Sequence, residues 1–214
     1  MQKTSMIVIV LVALTVVGIG ARQATRGMNM KVPAAASPEV QAKIRQAMQA
    51  APPEISGSAT VMDWPENEGA PMKHLRAGTN GWTCMPSSPA PSAGTAREDP
   101  MCADPSFSAL LEAWTTRSDP HLTTVAMAYM LRGDKGASNT DPFAMAPTAT
   151  NNWIVSPPHI MIAVPNPQQL DAFTTDPHSG GPWVMWKGTP YAHLMVPTAA
   201  TAKPMTSTKR TSDH

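Results

Sequence analysis

Prolines punctuate this chain so often that long helices cannot dominate its fold. There are 23 of them in 214 residues, about twice the ordinary share. Each removes a backbone donor and clashes with the preceding turn of a helix. The segments between them that keep a clear pattern are short, and most of these alternate as strands do. Charge is sparse as well, at 14% of residues against roughly 25% in a typical soluble domain. Residues 60–197 hold seven Lys/Arg and twelve Asp/Glu, a net of −5, whereas both ends are mildly basic. An acidic body lacks the basic footprint that supplies most affinity for a phosphate backbone, so no nucleic-acid partner is expected.

The first 21 residues carry the pattern of a secretory signal peptide. Lys3 precedes an uncharged apolar run, Met6–Ile19, and small residues follow at Gly18–Ala21. The run is shorter than the ~20 residues that span a bilayer comfortably. Export to the periplasm or medium is the expectation, with a membrane anchor if the segment stays uncleaved. No later segment is apolar enough to span a membrane. In an oxidising compartment Cys84 and Cys102, eighteen positions apart, are expected to form a disulfide.

Residues 22–54 read as a linker with one short helix opening at Ser37-Pro38-Glu39, where Ser is the N-cap and Pro the first helical residue. From Ile55 to Pro105 the chain is rich in Pro, Gly and Ser, and reads as irregular structure with one or two short strands. Asp104-Pro105 starts a better helix, on which Phe107, Leu110, Leu111 and Trp114 recur at helical spacing. Strands follow at Thr123–Leu131 and in "HIMIAVP", and "PWVMW" and "YAHLMVP" form a hairpin. The tail 198–214 has no apolar pattern and is expected to be disordered. These elements make one α+β domain over residues 55–197, a small, mainly antiparallel sheet with one or two helices and long Pro-rich loops.

Two of the strands share a feature. Side chains two apart on a strand point the same way, so His159 and Met161 share one face, and Tyr191, His193 and Met195 share another. Opposite them lie Ile160, Ile162 and Val164, and Ala192, Leu194 and Val196. The aliphatic face is expected to seat the helix, leaving a face of Met, His and aromatics. Loops and Trp side chains could simply cover that face, with Met filling gaps. Alternatively it binds a small molecule through His159, His193 and Tyr191 or Tyr129. A third reading joins His159, Met161, His193 and Met195 as thioether and imidazole ligands suited to Cu(I). Whether Met185 or Val184 shares the side of His193 depends on a one-residue register choice at residues 187–190.

For catalysis, His159 or His193 could serve as a base with Ser156 or Asp141, a hydrolase arrangement without any G-x-S-x-G or H-E-x-x-H motif beside it. Asp134, Ser138, Asn139 and Asp141 could gather Ca²⁺, but their spacing misses the EF-hand loop and turn chemistry accounts for them.

Together "GWTCMP", "DPMC", "YMLRGDKGASNTDPFA", "HIMI" and "VMWKGTPYAHLMVP" resemble a family of exported bacterial proteins of unknown function, over roughly residues 80–197. The resemblance implies a bacterial exported origin and a single domain, and it carries no activity, cofactor or site residue. The expected function is therefore small-ligand binding by an exported, disulfide-bonded domain, with hydrolysis and copper binding as alternatives and the oligomeric state open.

Overall fold

The computed structural model describes residues 36–67, 70–89 and 98–198. The expected signal segment, residues 22–35 of the expected linker, residues 68–69 and 90–97, and the tail after Thr198 lie outside the described residues.

Helix α1, Pro38–Ala47, begins as its sequence dictates: the Ser37 hydroxyl accepts from the Val40 N–H at 3.3 Å and Pro38 occupies the first turn. A 3₁₀ turn at Met48–Ala50 and a single helical turn, α2 (Pro53–Ser56), follow. Four short strands come next: β1 (Thr60–Asp63), β2 (Lys73–Arg76), β3 (Thr83–Met85) and β4 (Met101–Ala103). Helix α3 runs Pro105–Thr115. The rest is β5 (Ala126–Met130), β6 (Ala137–Ser138), β7 (Trp153–Ile154), β8 (His159–Ala163), β9 (Trp183–Met185) and β10 (His193–Pro197). A 3₁₀ turn at Pro167–Leu170 separates β8 from β9.

Eight strands form one sheet in the order β2-β1-β3-β4-β5-β8-β10-β9, while β6 and β7 pair separately. The β1–β3 pairing is parallel and the others in this sheet are antiparallel. The α+β class holds, but the small, mainly antiparallel sheet expected from sequence is corrected to a large mixed one. The extra strands come from residues 60–103, where each is only three or four residues long. Alternation over so few positions is hard to tell from a loop.

Cys84 and Cys102 form a disulfide between directly opposed positions of β3 and β4. It is fully buried in a cluster with Val61, Ala47 and Ala50. The small side chains of α1 and its 3₁₀ turn let the backbone lie close against the sheet there. The short helix assigned to the linker is thus seated on the domain.

Helix α3 is fixed at its start by one side chain used twice. Asp104 Oδ1 accepts from the Phe107 N–H at 2.7 Å, capping the helix, and Oδ2 accepts from the Met127 N–H of β5 at 3.0 Å. The helix then buries Phe107, Leu110 and Ala113. Its position corrects a second expectation, because it does not cover the aliphatic face of the sheet. Phe107 and Leu110 pack with Ala126, Ala128, Met161, Ala163, Met185 and Met195, the face that carries His and Met. Alanines on β5 and β8 leave room for the helix. The aliphatic side, Ile162, Val164, Leu194 and Val196, is instead covered around Leu170 of the second 3₁₀ turn.

Closing a loop of this length with a disulfide stabilises a fold by about 3 kcal/mol. Replacing both Cys84 and Cys102 by Ala is therefore expected to lower the urea midpoint by an amount equivalent to about 3 kcal/mol. An unchanged midpoint would mean that the β3–β4 pairing holds without the crosslink.

Candidate functional site

Between α3, the loop 134–145 and the His/Met face of the sheet lies a cavity of about 360 Å³. That size lies at the lower end of the range for small-molecule sites. Its floor is strand-borne. β8 contributes His159 and Met161, β9 contributes Met185, and β10 contributes His193 and Met195. Met161 stands opposite Met195 and His193 opposite Met185 in the ladders. The latter register settles the hairpin question and puts Met185, not Val184, beside His193. Phe107, Leu110, Leu111 and Trp114 of α3 form the roof, with Trp64, Trp153 and Trp186 at the sides.

Both imidazoles are sealed from solvent, with 0% of His159 and 1% of His193 exposed. His159 Nδ1 lies 2.6 Å from the Pro157 carbonyl oxygen, and His193 Nδ1 lies 3.0 Å from that of Tyr191. A carbonyl oxygen only accepts, so Nδ1 carries the proton in both rings and donates it. Neutral rings then present Nε2 as a bare lone pair. Neither Nε2 has a hydrogen-bond partner among the described residues. Burial pushes the His193 pKa down to about 4, against the smaller opposing effect of its bond to the Tyr191 carbonyl. Burial lowers the His159 pKa too, opposed by the nearby Asp134 carboxylate and the bond to Pro157.

Trp186 is the other distinctive wall. Its backbone is left-handed, with φ +55°, a conformation that costs a non-glycine residue about 1–3 kcal/mol. Several contacts hold it there. Its backbone N–H donates to the Asn139 carbonyl at 2.9 Å and its indole N–H to the Ser138 carbonyl at 2.8 Å. Its ring stacks on Trp114 at 5.8 Å and meets the edge of His193 at 5.0 Å. On the loop side, Gly136 at φ +119° lets Trp153 close in, since a Cβ there would lie 2.4 Å from the indole nitrogen. Tyr191 lines the cavity with its hydroxyl turned away, donating to the Ser118 carbonyl at 2.9 Å.

The structure therefore brings His159, Met161, Tyr191, His193 and Met195 to one cavity, while Tyr129 faces the other side of β5 and packs on Trp82. The four proposed copper ligands share this cavity, but the register spreads them. His159 pairs with Pro197, four residues along β10 from His193, which puts roughly 13 Å between the two His Cα positions at 3.3–3.4 Å per residue. Each ring is also tied to the carbonyl two residues N-terminal, on the side away from its own Met. That spacing disfavours one ion bound by all four.

The hydrolase pieces are not assembled. Asp141 Oδ1 accepts from the Phe143 N–H at 2.9 Å, and Ser156 is not part of the cavity lining. Asp134 Oδ1 accepts from the backbone of Gly136 and Ser156, and the Ser138 hydroxyl from that of Thr140 and Asp141, the turn chemistry expected of this loop. Trp64, Trp153 and Trp186 could not be placed from sequence, because nothing there shows which loops fold over the strands. The helix face with Phe107 and Trp114 was legible, though not the side it covers.

Compared with protein-family models, curated proteins and solved structures, the chain gives no match.

An imidazole in the unfolded chain titrates near 6.5, and both buried ones titrate lower. Between those values the unfolded state binds more protons, so stability falls as pH falls from about 6.5 toward about 4. At about 1.4 kcal/mol per pH unit, His193 alone contributes about 3 kcal/mol to that loss. Urea midpoints measured across this window are expected to drop for the wild type and to flatten in the H159F/H193F double variant. Equal slopes for the two proteins would contradict the burial of the rings in neutral form.

Proposed function

We propose that this chain is an exported bacterial protein whose domain binds a small, largely apolar molecule in the cavity beneath α3. One observation carries the reading: a cavity of about 360 Å³ is walled largely by Met, Trp and Phe side chains, and two buried imidazoles whose Nε2 atoms have no partner among the described residues belong to that wall. Leaving a buried polar atom unpaired costs about 1–3 kcal/mol, and a ligand that meets those atoms recovers the loss. The thioether and indole lining supports the same reading, since most small-molecule sites are apolar with a few placed polar groups. So does the strain held at Trp186, because strained residues cluster at ligand clamps.

Export is supported by the signal-like N-terminus, the resemblance to exported proteins and a buried disulfide, which suits an oxidising compartment. Among the described residues no helix is long and apolar enough to cross a membrane. No observation at the cavity favours hydrolysis over binding, because neither imidazole is bonded to a carboxylate or a nucleophile.

N-Phenyl-1-naphthylamine, a neutral fluorophore, tests the reading directly. Its emission is expected to rise on binding the oxidised wild type with one-to-one stoichiometry. Met161→Trp, which fills the floor, is expected to weaken binding by more than about tenfold, equivalent to over 1.4 kcal/mol, while the variant still unfolds cooperatively. No enhancement with the wild type would contradict the proposal.

A further inference from the structure

Four of the six tryptophans wall the one cavity beneath α3, and with the charges beside them they point to the charge of its occupant. We propose that the cavity takes a small monovalent cation whose charge is wrapped in carbon, a quaternary ammonium group, held against the indole rings. The inference rests on the ligand-binding reading above and adds the charge and chemical class of the ligand.

This wall is within a ligand's reach. Thr115, Arg117, Asp141 and Met145 belong to the cavity lining and are exposed, so the cavity opens to solvent there. Trp64, Trp114, Trp153 and Trp186 are each half-buried, which leaves part of every ring accessible. No contact with the sealed imidazoles is needed.

The rings are fixed in place and suit a cation. Aromatic faces are negative, and an indole attracts a cation more strongly than the ring of Tyr or Phe. Trp64, Trp114 and Trp186 donate their N–H groups to the carbonyls of Pro86, Pro142 and Ser138 at 2.7, 2.9 and 2.8 Å. Those bonds hold the rings before any ligand arrives, which lowers the ordering cost of binding. At the mouth a cation already uses the same attraction, since the Arg117 guanidinium lies over the Phe143 ring at 4.4 Å.

Charge and hydrogen bonding narrow the class. The lining holds three carboxylates, Asp99, Asp134 and Asp141, against two cations, Lys135 and Arg117, an excess of one negative charge that a monovalent cation neutralises. An indole N–H only donates, so the four rings offer no acceptor. A primary ammonium would bring three donors that lose their water without replacement on that wall. A quaternary ammonium has none to satisfy, and it meets the rings and thioethers with methyl groups.

Titration calorimetry on the oxidised full chain tests this with three matched probes: choline, its neutral carbon isostere 3,3-dimethyl-1-butanol, and ethanolamine. Choline is expected to bind with one-to-one stoichiometry and at least about tenfold more tightly than either of the others. Trp64→Phe keeps an aromatic face and Trp64→Leu does not, while both lose the bond to the Pro86 carbonyl. The Leu variant is therefore expected to bind choline at least about fivefold more weakly than the Phe variant. Trp82→Phe, at a ring that packs on Tyr129 outside the cavity lining, is expected to leave choline affinity unchanged. Equal or tighter binding of the alcohol would overturn the cation requirement, and equal or tighter binding of ethanolamine would overturn the quaternary class. No binding of choline by a protein that still binds N-phenyl-1-naphthylamine would overturn the inference and leave the cavity reading standing. No binding of any of the three or of the fluorophore would overturn both. Because the wild-type series is decisive alone, the outcome does not depend on the variants folding.

Discussion

Two hydrogen bonds set the chemistry of this protein, from the Nδ1–H of His159 to the Pro157 carbonyl and from that of His193 to the Tyr191 carbonyl. Each joins a ring to the backbone two residues earlier on its own chain. The donor and acceptor are fixed by the strand itself, so the ring orientation does not depend on a distant partner. Burial keeps the rings neutral, and neutrality with the proton on Nδ1 turns Nε2 into a permanent acceptor. Without those bonds the rings would be ordinary gap-filling histidines. With them, the floor of the cavity has two polar points set in thioethers.

The cavity around these points follows from a division of labour along the sheet. Ala126 and Ala128 of β5 are small, and Ala128 lies opposite Met161 in the β5–β8 ladder. Helix α3 packs there through Phe107 and Leu110. Toward β10 and β9 the floor residues are Met and His, and the loop after β5 forms the opposing wall. Asp104 fastens the helix start to β5 by capping α3 and accepting from Met127. Trp186 closes the far side in a backbone conformation usually left to glycine or asparagine.

Much of this was legible before any coordinates. The alternation in "HIMIAVP" and "YAHLMVP" placed His159 with Met161 and His193 with Met195, because period-two patterning survives whenever a strand has two unlike faces. The Cys84–Cys102 pair, the Asp104-Pro105 start of α3 and the Ser37 start of α1 were readable from local chemistry alone. The face covered by α3 was not. Branched aliphatics look like the natural seat for a helix, whereas Ala126, Ala128 and Ala163 look featureless, yet a helix packs closely on small residues. Of the four strands at 60–103 the sequence suggested only one or two, because segments of three or four residues carry little period. Nothing in "VMWKG" signals that Trp186 rather than Gly188 takes the first left-handed position, since that choice is imposed by Asn139, Ser138 and Trp114 from elsewhere in the fold.

The state of the two rings is the most direct thing to measure. Long-range proton–nitrogen correlation spectra of the ¹⁵N-histidine-labelled, oxidised protein at pH 7 report the tautomer of each imidazole. Both His159 and His193 should show a protonated Nδ1 and an unprotonated Nε2. Either ring found as the imidazolium, or carrying its proton on Nε2, would contradict the picture of a cavity floored by two fixed acceptors.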